Sequence, residues 1–111
     1  MLNINSIIQR NLDEFGRVTI PKNIRIDYLL VSPNKNCKCK LAIIESKVIL
    51  FLLPYTDRNE TENVIYLKVN DLGMLDVSQY FNPKVQKRLN FCILNKPDGF
   101  INEDYLALCA E

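Results

Sequence analysis

Asn11-Leu12-Asp13-Glu14-Phe15-Gly16-Arg17-Val18-Thr19-Ile20-Pro21-Lys22-Asn23-Ile24-Arg25 is the stretch on which the fold turns. It reads as the end of a strand, a tight turn, a second strand and a helix opened by proline. Asp13 to Gly16 make a four-residue turn in which Gly16 supplies the positive φ that other residues resist. Val18 and Ile20 alternate with Arg17 and Thr19, which gives that strand one apolar and one polar face. Pro21 has a preset φ and no N–H, so it suits a helix start and ends a central strand. Lys22, Asn23 and Arg25 follow on the helix. Turn, strand and helix start are therefore expected to gather basic groups around one corner.

Working outward, Ile4 to Leu12 is expected to form the first strand, and Lys22 to about Leu30 a helix of two turns. Ser32-Pro33-Asn34 marks a loop. Lys38 to Ile44 and Val48 to Leu53 should form a hairpin closed by Glu45-Ser46-Lys47. The runs Leu41-Ala42-Ile43-Ile44 and Val48 to Leu53 are continuously apolar, which predicts strands covered on both faces. Some fifty residues with one short helix cannot supply that cover alone. A second copy of the domain or the C-terminal half must do so.

The run D-E-x-G-R-V-x-I-P-K-x-I-R resembles the signature of the AbrB/MazE/SpoVT swapped-hairpin family of small bacterial and archaeal DNA-binding proteins. The resemblance covers Ser6 to about Leu53. It implies a double-psi-type β-barrel in which two chains interleave their hairpins, and a homodimer that binds DNA. It also implies that Arg10, Arg17 and Arg25 fall on DNA-contacting positions. Ile26 stands where a second arginine is common in that family.

Pro54 to Asn63 is polar and reads as a linker between a first domain over residues 1–54 and a β-rich half over 64–111. Beyond it, Val64 to Val69 and Met74 to Val77 are expected strands around an Asn70-Asp71-Leu72-Gly73 turn. Pro83 to Leu89 should be helical with Asn82 as N-cap. Phe91 to Leu94 is apolar, Pro97-Asp98-Gly99 is a turn signal, and Tyr105 to Ala110 is a final strand or short helix. This order echoes the first half. At an offset of 57, Leu12/Val69, Phe15/Leu72, Gly16/Gly73, Val18/Leu75 and Ile20/Val77 coincide. A five-residue insertion at Ser78 to Asn82 would bring Pro83-Lys84 onto Pro21-Lys22. The second half then reads as a degenerate second copy: Met74 replaces Arg17, and either Asn82 or Lys87 replaces Arg25.

Composition bounds the function. Of 111 residues, 48% are apolar, an ordinary globular value. No apolar run approaches the roughly 20 residues that span a bilayer, and no basic leader precedes an apolar core. A cytoplasmic protein with no membrane partner is expected. Residues 1–55 hold eight Lys/Arg against four acids, a net +4, while residues 56–111 hold six against nine, a net −3. The first half thus suits an anionic partner. Cys37, Cys39, Cys92 and Cys109 lack C-x₂-C spacing and the chain has no histidine, so neither a metal nor any other cofactor is expected and the thiols read as reduced. Without histidine, a nucleophile motif or a phosphate-cradling glycine loop, catalysis has no candidate residues. Asp13 beside Glu14 reads as a turn whose aspartate caps its own backbone.

The expected function is dimeric, DNA-binding transcription regulation through Arg10, Arg17, Lys22 and Arg25, with Asp13 and Gly16 shaping the turn. Two other readings stay open. In one, the chain is an antitoxin whose C-terminal half binds a toxin partner. In the other, the barrel serves only dimerisation or assembly.

Overall fold

The computed structural model describes residues 4–58, 63–94 and 105–110. These form eight strands and one short helix in the order β1 (Ile4–Asn11), β2 (Arg17–Thr19), α1 (Lys22–Asp27), β3 (Asn36–Ile44), β4 (Lys47–Leu53), β5 (Val64–Lys68), β6 (Met74–Asp76), β7 (Arg88–Leu94) and β8 (Tyr105–Ala110). The fold is mainly β. Six strands make one antiparallel sheet in the order β1-β7-β8-β4-β3-β5, and β2 and β6 make a separate two-stranded ribbon. Among the described residues the large sheet has two edge strands, β1 and β5, and does not close into a barrel.

The order of the large sheet is palindromic. Exchanging β1 with β5, β3 with β7 and β4 with β8 reverses it without changing any neighbour, and the ribbon maps onto itself. Backbone hydrogen bonds obey the same exchange. Ile20 donates to the Gly73 carbonyl and Val77 to the Gly16 carbonyl, both at 2.9 Å. Leu12 donates to Lys87 O and Val69 to Lys35 O, again both at 2.9 Å. Leu12 bridges Val18 just as Val69 bridges Leu75. Strands from the two halves interleave in one sheet, and the Cα radius of gyration of 12.9 Å is that of one compact unit of this length, about 13 Å.

Hairpin and helix ends show how local sequence yields to context. Glu45 and Ser46, with φ of 52° and 66°, close β3 onto β4 as a two-residue turn between Ile44 and Lys47, the primed geometry that matches strand twist. The helix expected to reach Leu30 stops at Asp27. Leu29 takes φ 52°, Leu30 N–H returns to Arg25 O and Leu29 N–H to Ile26 O, which is a Schellman closure with leucine at the glycine position. The turn buries Leu30 completely.

The second expected helix does not form. Asn82 does cap as anticipated, taking the Lys84 N–H on Oδ1 at 2.9 Å and the Gln86 N–H on its carbonyl at 2.8 Å. The chain then leaves the turn because Arg88 and Leu89 are already paired with Asn11 and Arg10 of β1. Ladder bonds to β1 win over helix propagation. The helical counterpart of α1 lies earlier and without an insertion: Phe81 N–H bonds to Val77 O, and Phe81 is buried in the core as Ile24 is.

Two apolar layers result. Between the sheets, Val18, Ile20, Ile24, Leu75, Val77 and Phe81 meet Leu50, Leu52, Leu89, Phe91 and Leu108 of the large sheet. Ile49, Phe51, Leu53, Cys92, Leu94, Ala107 and Cys109 form a second cluster on the opposite face. Strand β4 is thus covered on both faces, as its continuous apolar run predicts. Strand β3 is not, for Leu41 and Ile43 are 38% and 72% exposed. Its partner β5 pairs only as far as Lys40, so residues 41–44 of β3 have no paired strand on that side among the described residues. Lys38, a buried charge, donates its ammonium to Asp57 O at 2.7 Å, tying the start of the expected linker to the sheet. The Pro97-Asp98-Gly99 turn signal lies outside the described residues.

Candidate nucleic-acid interface

The first turn is built on one carboxylate. Asp13 Oδ1 accepts the N–H of Phe15 at 2.9 Å and of Arg17 at 2.8 Å, while Oδ2 accepts Arg17 Nε at 2.8 Å. Gly16, at φ +80°, donates to Asp13 O and packs so closely on Ser78 that an added Cβ would lie 2.5 Å from the Ser78 Cβ. The Phe15 ring, 66% exposed, lies 5.0 Å from the Arg17 guanidinium carbon, within cation–π range. Arg17 is therefore held through Nε and a ring face. Its two terminal nitrogens take no further partner among the described residues.

Desolvation alone would raise the Asp13 carboxyl. The hydrogen bonds from the Arg17 N–H, the Arg17 guanidinium and the Phe15 N–H, together with the arginine charge, outweigh it and hold the group below the ordinary carboxylate value.

The second turn repeats the first with different chemistry. Asn70 Oδ1 accepts the N–H of Leu72 and of Met74, each at 2.9 Å. Gly73, at φ +78°, donates to Asn70 O. Arg25 crosses over to this turn: a Cβ built on Gly73 would meet Arg25 Nη1 at 1.8 Å. Lys35 bonds Asp71 beside it, which holds the Asp71 carboxyl below its ordinary value. Arg25, Ile26, Leu29, Tyr55, Asn70 and Asp71 line an open groove of about 510 Å³ there.

The basic residues read from the sequence are thus distributed rather than gathered. Arg17 joins Asp13 and Gly16 at the first turn. Arg25 reaches the second turn, at the other end of the short β2–β6 ribbon. Lys22 is exposed at the start of α1. Arg10 is half-buried on the edge strand β1, where its Nη1 donates to the Gln9 carbonyl. The expected corner held turn and helix of one half. The fold instead sets each turn against the opposite half, because Gly16 pairs with Val77 and Gly73 with Ile20.

Three contributors were not read as site residues. Phe15 supplies the ring beside Arg17. Lys84 and Lys87 border the first turn across a groove of about 410 Å³ shared with Asp13 and Glu14. The echo of Pro21-Lys22 in Pro83-Lys84 was the available signal for the lysines, and an aromatic residue just before Gly16-Arg17 for the ring. The four cysteines are buried thiols: Cys37 and Cys39 lie 3.8 Å apart between the sheets, Cys92 and Cys109 3.2 Å apart across β7 and β8. The Cys92 thiol hydrogen-bonds Cys109 and favours its ionised form, and Lys47 adds to that, so Cys109 is lowered and Cys92 raised.

No helix among the described residues is long and apolar enough to cross a membrane. No family model matches the chain, and neither a curated protein nor a solved structure is significantly similar to it.

Proposed function

We propose that the chain is a DNA-binding regulator in which one polypeptide supplies both halves of a swapped-hairpin arrangement. The palindromic strand order supports this, since the first strand of each half pairs with the third strand of the other, β1 with β7 and β5 with β3. Strand β8 already lies beside β4, so a second chain is not needed to complete the sheet. The observation that carries the DNA reading is the part-exposed Arg17 guanidinium, fixed by Asp13 and Phe15 with its terminal donors unpartnered among the described residues. An ordered planar fork suits phosphate oxygens and the guanine edge. Lys84 and Lys87 beside that turn, with Lys22 and Arg25 around α1, add the cations that phosphate contacts require. Strands β7 and β8 are built into the sheet, so these parts of the second half are ordered without a partner chain.

Fluorescence anisotropy with labelled duplex DNA across a salt series tests the reading. Binding should weaken with salt by a slope of about 0.9 per phosphate contact, and Arg25→Ala should lower that slope by about one contact. Salt-insensitive or absent binding of the full chain would refute it.

A further inference from the structure

The two turns share a backbone but not a chemistry. Turn construction needs one side-chain oxygen, and Asn70 provides it with Oδ1. Asp13 makes the same two bonds with Oδ1 and so has a second oxygen with no part in building the turn. That oxygen binds Arg17 Nε. Where arginine is replaced by Met74, the carboxylate is replaced by the amide of Asn70: the turn-building role remains and the arginine-holding role is gone. Two further positions run the same way. At the offset of 57 along which Ile20 matches Val77 and Ile24 matches Phe81, Lys22 corresponds to Gln79 and Arg25 to Asn82. Three cations of the first half have uncharged counterparts in the second. Lys35 and Lys87 do correspond, through their bonds to Val69 and Leu12, but Asp71 neutralises Lys35, whereas Lys87 donates to the Pro83 carbonyl and keeps its charge unpaired among the described residues.

We infer that the chain reads an asymmetric, non-palindromic duplex site, with base readout concentrated in the Asp13–Arg17 turn. The inference rests on the DNA reading above. A symmetric dimer presents two identical arms and favours a palindrome, because the site mirrors the protein's two-fold axis. Here the fold keeps that axis and the side chains break it. Among the described residues only one end of the ribbon carries a guanidinium held by a carboxylate, and a held fork is what discriminates bases, while loose lysines grip phosphate equally on any sequence.

Selection from a random duplex library with the full chain tests this. The expected product is one enriched motif without internal dyad symmetry. The double variant Asp13→Asn with Arg17→Met gives the first turn the capping amide and the methionine of the second, so it should fold with a melting curve close to the parent's. It should bind duplex DNA in low salt but discriminate the selected motif from scrambled DNA at least tenfold less. The converse variant, Asn70→Asp with Met74→Arg, should gain at least tenfold for a palindrome built from two copies of the motif. A palindromic motif for the parent chain, or undiminished discrimination in the first variant, would overturn the inference and leave DNA binding standing. Binding with no enriched sequence would do the same. No binding to any duplex in low salt would overturn both.

Discussion

Two glycines with nearly equal φ separate what a backbone requires from what surrounds it. Gly16 and Gly73 both need positive φ, which by itself makes a side chain unfavourable by about 1 kcal/mol. An added Cβ at Gly16 would also lie 2.7 Å from the Ser78 Cα, whereas at Gly73 it meets only the end of the flexible Arg25 side chain. Gly16→Ala should therefore destabilise by roughly 2 kcal/mol or more, and Gly73→Ala by about half of that, as measured in urea melts. Equal losses would show that Ser78 yields as readily as an arginine tip. Asp13 offers a second residue-scale test, through pH. Its carboxyl titrates below the ordinary value in the folded chain, so the stabilisation it contributes is complete above the unfolded value of about 3.9 and fades as pH falls through the folded value. Asp13→Asn should flatten the acid limb of a stability–pH curve. An unchanged acid limb would mean the carboxylate contributes nothing beyond what Asn70 does at its own turn.

Elements here end where tertiary bonds overrule propensity. Ser46 occupies the second position of a primed hairpin turn that glycine prefers, and Leu29 a left-handed helix C-cap that glycine prefers as well. Ser46→Gly should raise stability by a few tenths to about 1 kcal/mol, because a left-handed residue loses its steric penalty. Thermal melts would register this as a rise of several degrees. A fall would mean that the tip of the β3–β4 hairpin depends on the Ser46 side chain, which borders a groove with Tyr80 and Val85. The failed helix after Asn82 teaches the same lesson in reverse. Its cap and proline were legible and its cap bonds formed, yet pairing of Arg88 and Leu89 with β1 stopped it after one turn.

At the scale of the molecule, the decisive contact is β4 against β8, one strand from each half in the middle of the sheet. A fragment ending near Tyr55 would leave β4 without β8, β1 without β7 and β3 without β5. The full chain should sediment as a single 12.9 kDa species, with a melting midpoint independent of concentration over a hundredfold range. The fragment should stay unfolded at micromolar concentration, or fold only as a dimer whose stability rises with concentration. A full chain whose midpoint climbs with concentration would restore the intermolecular barrel. The resemblance of Ser6 to Leu53 to a dimeric family pointed there, and residues in one half alone carry no record of whether their partner is another chain.

The sequence by itself determined whatever depends on near neighbours. The positive-φ glycine turn, the alternation at Arg17 to Ile20, the proline that opens α1, the cap at Asn82 and the doubly covered β4 are all consequences of local sterics and apolar periodicity. Even the matching residues at an offset of 57 were legible as letters. Only the tertiary structure decided where the two halves meet: that Gly16 bonds Val77 and Gly73 bonds Ile20, that Arg25 crosses to the second turn, and that Lys84 and Lys87 come to border the first. These are contacts between segments more than forty residues apart. Which distant strand satisfies a given edge is set by the total of burial and ladder bonds over the whole sheet, a sum that no local stretch of the chain contains.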